Sequence, residues 1–350
     1  MAVSPSPTDF SLQTGDLEAV LAALMHQLEN YIFPEVAETI QSDIQRRLDR
    51  GGYTDISGGQ QLADILTAQL QQISRDLALR LHFSPLPLPH LETNAPSPAD
   101  LAQQASASRR RNFDVNRVER LAGNVGYLQL FSFEPPELAA ESLAAAMALV
   151  THTDALIFDL RHNQGGSPAT VAFLCSYLFP THPPVHLNDL YWSATDQTQQ
   201  WWTLPHVPGS RYLNRPVFVL TSPETFSAAE EFAYNLQTLK RAQVVGETTR
   251  GGANPGQGFR LHDHFWVFMP TGQAINPVTG GNWEGTGVVP DLKVPTEIAL
   301  ETAHLVALNQ LLETVPLGPA RREIEDTLPR VERSLQQKRQ DLMAHLGGTR

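Results

Sequence analysis

Residues 216–239 read PVFVLTSPETFSAAEEFAYNLQTL, an apolar run that turns, through Ser-Pro-Glu-Thr, into a segment with helical spacing. A strand of the kind buried on both faces, followed at once by a helix, is the unit from which parallel sheets with crossover connections are built. Ser227 sits on the junction. With Glu230 it has the spacing of a capping box, in which the hydroxyl accepts from the third backbone N–H and Glu230 reaches back to the N–H of the cap. The same junction lies at the carboxyl edge of the sheet, where open α/β folds place their ligands and a helix N-terminus favours negative charge. Ala228 and Ala229 leave room beside it. Position suits a nucleophile but does not make one.

The flanking sequence repeats the alternation. GYLQLFSF (126–133) predicts a strand, PPELAAESLAAAMALV (135–150) a helix, and DALIFDL (154–160) a strand buried on both faces. In SPATVAFLCSYLF (167–179) a helix is expected, with Ser167 as cap and Pro168 in its first position, and PVHLNDLYW (184–192) reads as a further strand. Interleaved strands and helices predict an α/β core over residues 113–295.

Upstream, apolar residues at spacings of three and four through residues 16–84 predict a helical domain of roughly three helices, interrupted at Pro34 and at the Gly-rich DRGGYTDISGG. Residues 85–112, opening with PLPLPHLETNAPSP, are expected to form an exposed linker because repeated Pro stops both helix and sheet. Residues 1–15 are expected to be disordered. From residue 296 to the end, helices are predicted; the charged last one reads as a solvated amphipathic tail that could serve as a homo-oligomer contact.

Composition excludes several partners. Acidic residues outnumber Lys plus Arg by 37 to 25, a formal charge of −12, and the one dense basic run is SRRR at 108–111, so nucleic acid is not expected. No run of apolar residues is long enough to span a bilayer, and the N-terminus lacks a basic start and an apolar core, which predicts a cytoplasmic protein. The single cysteine, Cys175, lies in the apolar run VAFLCSYLF and is expected to be a buried small hydrophobe. HDH at 262–264 reads as a polar hairpin turn; with no third and fourth ligands evident, no metal is expected.

Two further stretches carry chemistry. DLRHNQGG (159–166) follows a buried strand and ends in paired glycines, which let backbone N–H groups approach an anionic oxygen. GNWEGTGVVPD (281–291) sets Glu284 between Gly-rich turns, where a carboxylate could orient a base or stand as an exposed turn acid.

Together, GYLQLFSF, DALIFDLRHNQGG, TSPETFSAAEEFAYNLQTLKRAQVVGETTRGGANPG and PTGQAINPVTGGNWEGTGVVPD resemble the tail-specific, or C-terminal processing, serine peptidase superfamily. The helical module with NYIFPEVAETI is similar to the branch named for interphotoreceptor retinoid-binding protein. The resemblance covers roughly residues 16–310. It implies a crotonase-like (ClpP/crotonase) β/α spiral, peptide hydrolysis through an acyl-enzyme on Ser227, and no cofactor. It also implies an oxyanion hole from the backbone N–H groups of Gly165 or Gly166 and of Ala228, and Glu284 as the acid supporting the base. The family's PDZ module has no room in the linker.

The base departs from the pattern. In the turn TTRGGANPG, where relatives with a serine–lysine dyad place lysine, Gly252 stands nearest the expected place; where the histidine-using branch places histidine, this chain has Gln129. In the Gly-rich turn that often carries histidine in the retinoid-binding-like branch stands Asn254, and Arg250 cannot act as a neutral base. Asn254 and His162 are the candidate base or orienting residues, with His262 and His264 as further imidazoles. An alternative reading is a catalytically impaired homologue that binds an extended peptide or a lipophilic ligand such as a retinoid or fatty acid, with the aromatic YWSATDQTQQWW (191–202) near its groove.

Overall fold

The computed structural model describes residues 12–88 and 97–347. In chain order the regular elements begin with α1 (Thr14–Gln27), α2 (Pro34–Asp49), α3 (Gly59–Ser74), β1 (Arg80–Phe83) and α4 (Pro98–Arg110). There follow β2 (Val115–Leu121), β3 (Val125–Leu130), α5 (Pro136–Val150), β4 (Ala155–Asp159), α6 (Pro168–Ser176), β5 (His186–Trp192) and β6 (Gln197–Trp202). The rest are β7 (Val217–Thr221), α7 (Ala228–Thr238), β8 (Gln243–Gly246), β9 (Gly256–His262), β10 (Phe265–Pro270), β11 (Gly272–Ile275), β12 (Leu292–Lys293), α8 (Ala299–Thr314) and α9 (Pro319–Gly347). They fall into two compact units, one of residues 12–88, 190–199 and 254–274, the other of residues 97–189, 200–253 and 275–347.

In the first unit, Pro34 starts α2 rather than breaking a helix, since the first helical position needs no N–H donor. The three helices do not close a core by themselves. The hairpin β9–β10 adds Leu261, Phe265, Val267 and Met269 to the cluster that contains Leu21, Leu24, Ile40, Leu62 and Leu66. β1 completes the sheet, pairing antiparallel with β10 in the order β1-β10-β9. The helical module is therefore helical plus a small sheet, assembled from separate stretches of chain.

The second unit holds a six-stranded sheet in the order β12-β8-β7-β4-β3-β2. All neighbours are parallel except β2 with β3. Strand order follows chain order without a reversal, so the chain winds across the sheet in one direction. Every residue of β4 and of β7 is buried, as the uninterrupted apolar runs require of strands covered on both faces. On one face Tyr127, Ile157, Phe218 and Leu220 join Ala303, Ala307, Leu308 and Leu311 of α8, with Ile324 and Val331 of α9 beyond. On the other, Phe232 of α7 packs with Phe158 at 5.0 Å and Phe133 at 5.6 Å between ring centroids.

Two expectations change. Within the span read as a linker, residues 98–110 form α4, because Ser97 caps Asp100 N–H, Asp100 returns the bond, and Pro98 opens the first turn. At the other end, α1 already begins at Thr14, while residues 1–11 lie outside the described residues. Cys175 is fully buried, and burial pushes its thiol well up. No described helix is long and apolar enough to cross a membrane.

Candidate active site

β7 ends at the sheet edge, and the turn 222–227 delivers Ser227 to the N-cap of α7 at φ 55° and ψ −124°. A non-glycine residue there stores strain that its surroundings must hold. Four sets of bonds do so. Ser227 N–H donates to Glu230 Oε2 at 2.8 Å, Phe226 N–H to Asn163 O at 3.0 Å, and Thr225 Oγ1 to Leu160 O at 2.8 Å, while Ser222 Oγ donates to Arg161 O. Ser227 and Glu230 form the capping box the spacing predicts, with the Ser227 side chain facing the backbone of Glu230 without a closed side-chain cap bond.

The facing loop, 160–167, leaves β4. At its base Asp159 is 1% exposed and takes Arg161 at both oxygens (2.9 and 2.6 Å) and the Tyr127 hydroxyl at 2.6 Å. Burial alone would raise this carboxyl, but the Arg161 guanidinium outweighs it and holds the group below its ordinary value. Further on, Asn163 is fully buried; its Nδ2 donates to Leu130 O and its Oδ1 accepts Gly165 N–H at 2.8 Å. Gly165 has φ 96° and Gly166 φ 140°. A Cβ on Gly165 would stand 2.7 Å from Ser227 Cβ and 2.9 Å from Ala228 N; one on Gly166 would stand 2.2 Å from Phe133 O. Only glycine allows both approaches. Gly165 N–H is thus committed to Asn163, whereas the N–H groups of Gly166 and Ala228 have no partner among the described residues.

A second loop, 248–253, is clamped by two carboxylates. Glu230, fully buried, accepts Ser227 N–H and Gly252 N–H (2.9 Å) at Oε2, and Thr249 Oγ1 (2.5 Å) and Gly251 N–H (2.6 Å) at Oε1. Burial raises its carboxyl against these four bonds, which favour the charged form. Glu284 Oε2 accepts Ala253 N–H at 2.7 Å, and Trp283 Nε1 donates to Gly252 O at 3.2 Å, so the segment 281–288 braces this loop. Phe226 packs its ring against Gly252, where an added Cβ would meet ring carbon Cε2 at 2.1 Å.

The expected residues are distributed as follows. Ser227, Gly165, Gly166 and Ala228 come together. Glu284 reaches the neighbouring loop backbone. His162 points its Nδ1 at Glu224 Oε2, 2.9 Å away, and is half-exposed. Gln129 lies in the sheet, 3.4 Å through Nε2 from Asp159 and 2.6 Å through Oε1 from Asn116. Asn254 is buried and begins the segment 254–274 of the first unit, which also holds His262, paired with Asp16 at 3.7 Å, and His264, whose Nδ1 lies 2.9 Å from Ser84 O. Among the described residues no cluster of His, Cys, Asp and Glu could hold a metal. Trp202 stacks on His186 at 4.2 Å. Reading the sequence did not single out Asn163 or Phe226, whose partners lie far along the chain; the capping spacing did flag Glu230, though not its grip on 249–252.

Comparison with known proteins agrees with this architecture. A profile described as Peptidase family S41 matches residues 124–294, and one described as the N-terminal domain of Peptidase S41 in eukaryotic IRBP matches residues 14–111. The tail-specific protease of Haemophilus influenzae is 28% identical over 154 residues, 41% of this chain; the chain spans 20% of the length of that relative. Among solved structures, a candidate peptidase from Parabacteroides merdae gives a TM-score of 0.59 at 19% identity over 85% of this chain and 99% of its own. A lipoprotein from Streptococcus agalactiae gives 0.50 at 15% identity, covering 89% and 100%. These two likenesses bear on the fold alone.

Proposed function

Because the chain carries a peptidase family S41 domain behind that family's N-terminal domain, we propose that it is a serine-type peptidase acting on polypeptides. The observation that carries this reading is Ser227, strained at a helix N-terminus beside the N–H groups of Gly166 and Ala228, which have no partner among the described residues. Ser227 Oγ attacks the scissile carbonyl as a general base takes its proton and then passes it to the leaving amine, and the oxygen that becomes negative accepts from Gly166 and Ala228 N–H, at the positive end of α7. Collapse releases the amine and leaves an acyl-enzyme, which water hydrolyses. Gly165 holds the loop through Asn163, and Glu284 acts through Ala253 as a positioning residue. Of the two candidate orienting residues, Asn254 cannot take a proton, whereas His162 can, with Glu224 fixing its Nδ1. The one-directional strand order supports a crotonase-like spiral.

A fluorophosphonate probe tests the proposal. Expected is labelling of the wild-type protein at Ser227, absent in Ser227→Ala, together with peptide hydrolysis lost in the same variant. A folded wild-type protein that never labels overturns it.

The second reading, a non-hydrolysing binder of an extended peptide or lipophilic ligand, is favoured by Phe226, whose ring fills the space at Gly252 where a dyad lysine would stand. Ligand binding that survives Ser227→Ala, with no peptide cleaved by either protein, is its signature.

A further inference from the structure

Arg250 stands one loop from the nucleophile and has no acidic partner among the described residues. Its N–H donates to Thr225 O at 3.1 Å, which ties it to the turn that carries Ser227. Its guanidinium lies over the ring of Phe226, 5.1 Å from the centroid, and Phe226 immediately precedes Ser227. That ring cannot slide away on its other side, because it is pressed against Gly252, and Gly251 and Gly252 are held in turn by Glu230. The side chain is exposed, yet no carboxylate lies within ion-pair distance and no carbonyl accepts from its guanidinium among the described residues.

Acids outnumber cations in the chain, and several arginines take them, among them Arg161 with Asp159, Arg260 with Asp263, and Arg111 with Glu134. The other loop beside Ser227 shows the same habit, since His162 is matched by Glu224. A guanidinium stacked on an aromatic ring loses little further freedom on binding, and its planar fork fits a carboxylate with two parallel hydrogen bonds. A cation pre-placed beside a nucleophile is positioned to meet an acid of opposite charge on an incoming chain.

We propose, resting on the peptidase reading of Ser227, that Arg250 is a specificity-determining residue that binds a carboxylate of the polypeptide substrate next to the scissile bond. Two groups carry that chemistry, an Asp or Glu side chain and the free C-terminus. Substrates with a carboxylate there are preferred, and the preference is weakened by salt because the pair is solvent-facing.

The test uses full-length Ser227→Ala protein, so that binding is read without turnover. Probes are fluorescent peptides of fixed length in which one position is varied among Glu, Gln and Lys, each as free acid and as C-terminal amide. Anisotropy titrations are expected to show a preference of roughly fivefold or more for the carboxylate-bearing member at low salt. Whether the Glu–Gln pair or the acid–amide pair shows it identifies the source. In Ser227→Ala/Arg250→Gln the preference disappears, with the melting temperature unchanged because Arg250 is exposed. A preference that persists without Arg250, the absence of any preference with it, or no peptide binding at all overturns the proposal. Hydrolysis and probe labelling of the Arg250-intact, Ser227-intact protein are scored separately: an unreactive Ser227 with an intact preference sinks the peptidase reading alone, and a reactive Ser227 with none sinks only this one.

Discussion

At Gly252 the constraint is steric. The Phe226 ring occupies the volume a side chain would need, so no side chain fits at Gly252 without moving that ring. Gly252→Ala is expected to destabilise the protein by about 1–3 kcal/mol, read by chemical denaturation. In a double-mutant cycle Phe226→Ala should relieve most of that cost, and strict additivity would show that the contact is not the cause. Some of the site was legible residue by residue: the Ser227–Glu230 spacing and the Gly165–Gly166 pair stand in the linear sequence. Asn163 and Phe226 were not, because their roles rest on bonds and packing to distant residues. Glu230 is intermediate: its spacing announced the bond to Ser227 N–H, while its bonds to Thr249, Gly251 and Gly252 required the fold.

At the scale of the element, α7 carries more than the nucleophile. Four residues after Ser227, Glu231 is 4% exposed, and burial pushes its carboxyl up to about 8, against the amides of Asn188 and Asn235, which favour the charged form. Its titratable neighbour is Cys175 of α6. The sign follows from which state holds the proton. Between the ordinary glutamate value and about pH 8 the unfolded chain has released it and the folded chain has not, so stability falls as pH rises through this window. Glu231→Gln, which keeps the shape and cannot ionise, is expected to gain on the wild type by about 1.4 kcal/mol per pH unit across that window and then level off. Urea denaturation at several pH values measures it, and a pH-independent difference would refute it. The helix itself was plain in its apolar spacing; α4 was not, because proline-rich flanks obscured a capped helix that starts on a proline.

At the scale of the molecule, the first unit depends on a hairpin that enters the chain long after its helices. Leu261, Phe265, Val267 and Met269 are buried against them. A fragment beginning at residue 97 keeps that hairpin and loses its cover. It is expected to bind a hydrophobic dye strongly and to aggregate, as read by fluorescence and light scattering, whereas a soluble, dye-silent fragment would contradict the packing described. The sequence by itself determined the local matters: which stretches are strands buried on both faces, which are helices, and that a small-residue serine elbow and a paired-glycine loop each follow a buried strand. These are set by periodicity and by backbone freedom, both properties of neighbouring residues. Only the tertiary structure decided that β9 and β10 belong with the N-terminal helices, that Gly165 N–H is spoken for while Gly166 and Ala228 N–H have no partner among the described residues, and that the Phe226 ring fills the space beside Gly252. Those outcomes depend on which buried groups find partners across the chain, and a hydrogen bond or a filled volume between distant residues leaves no mark on the spacing of either one.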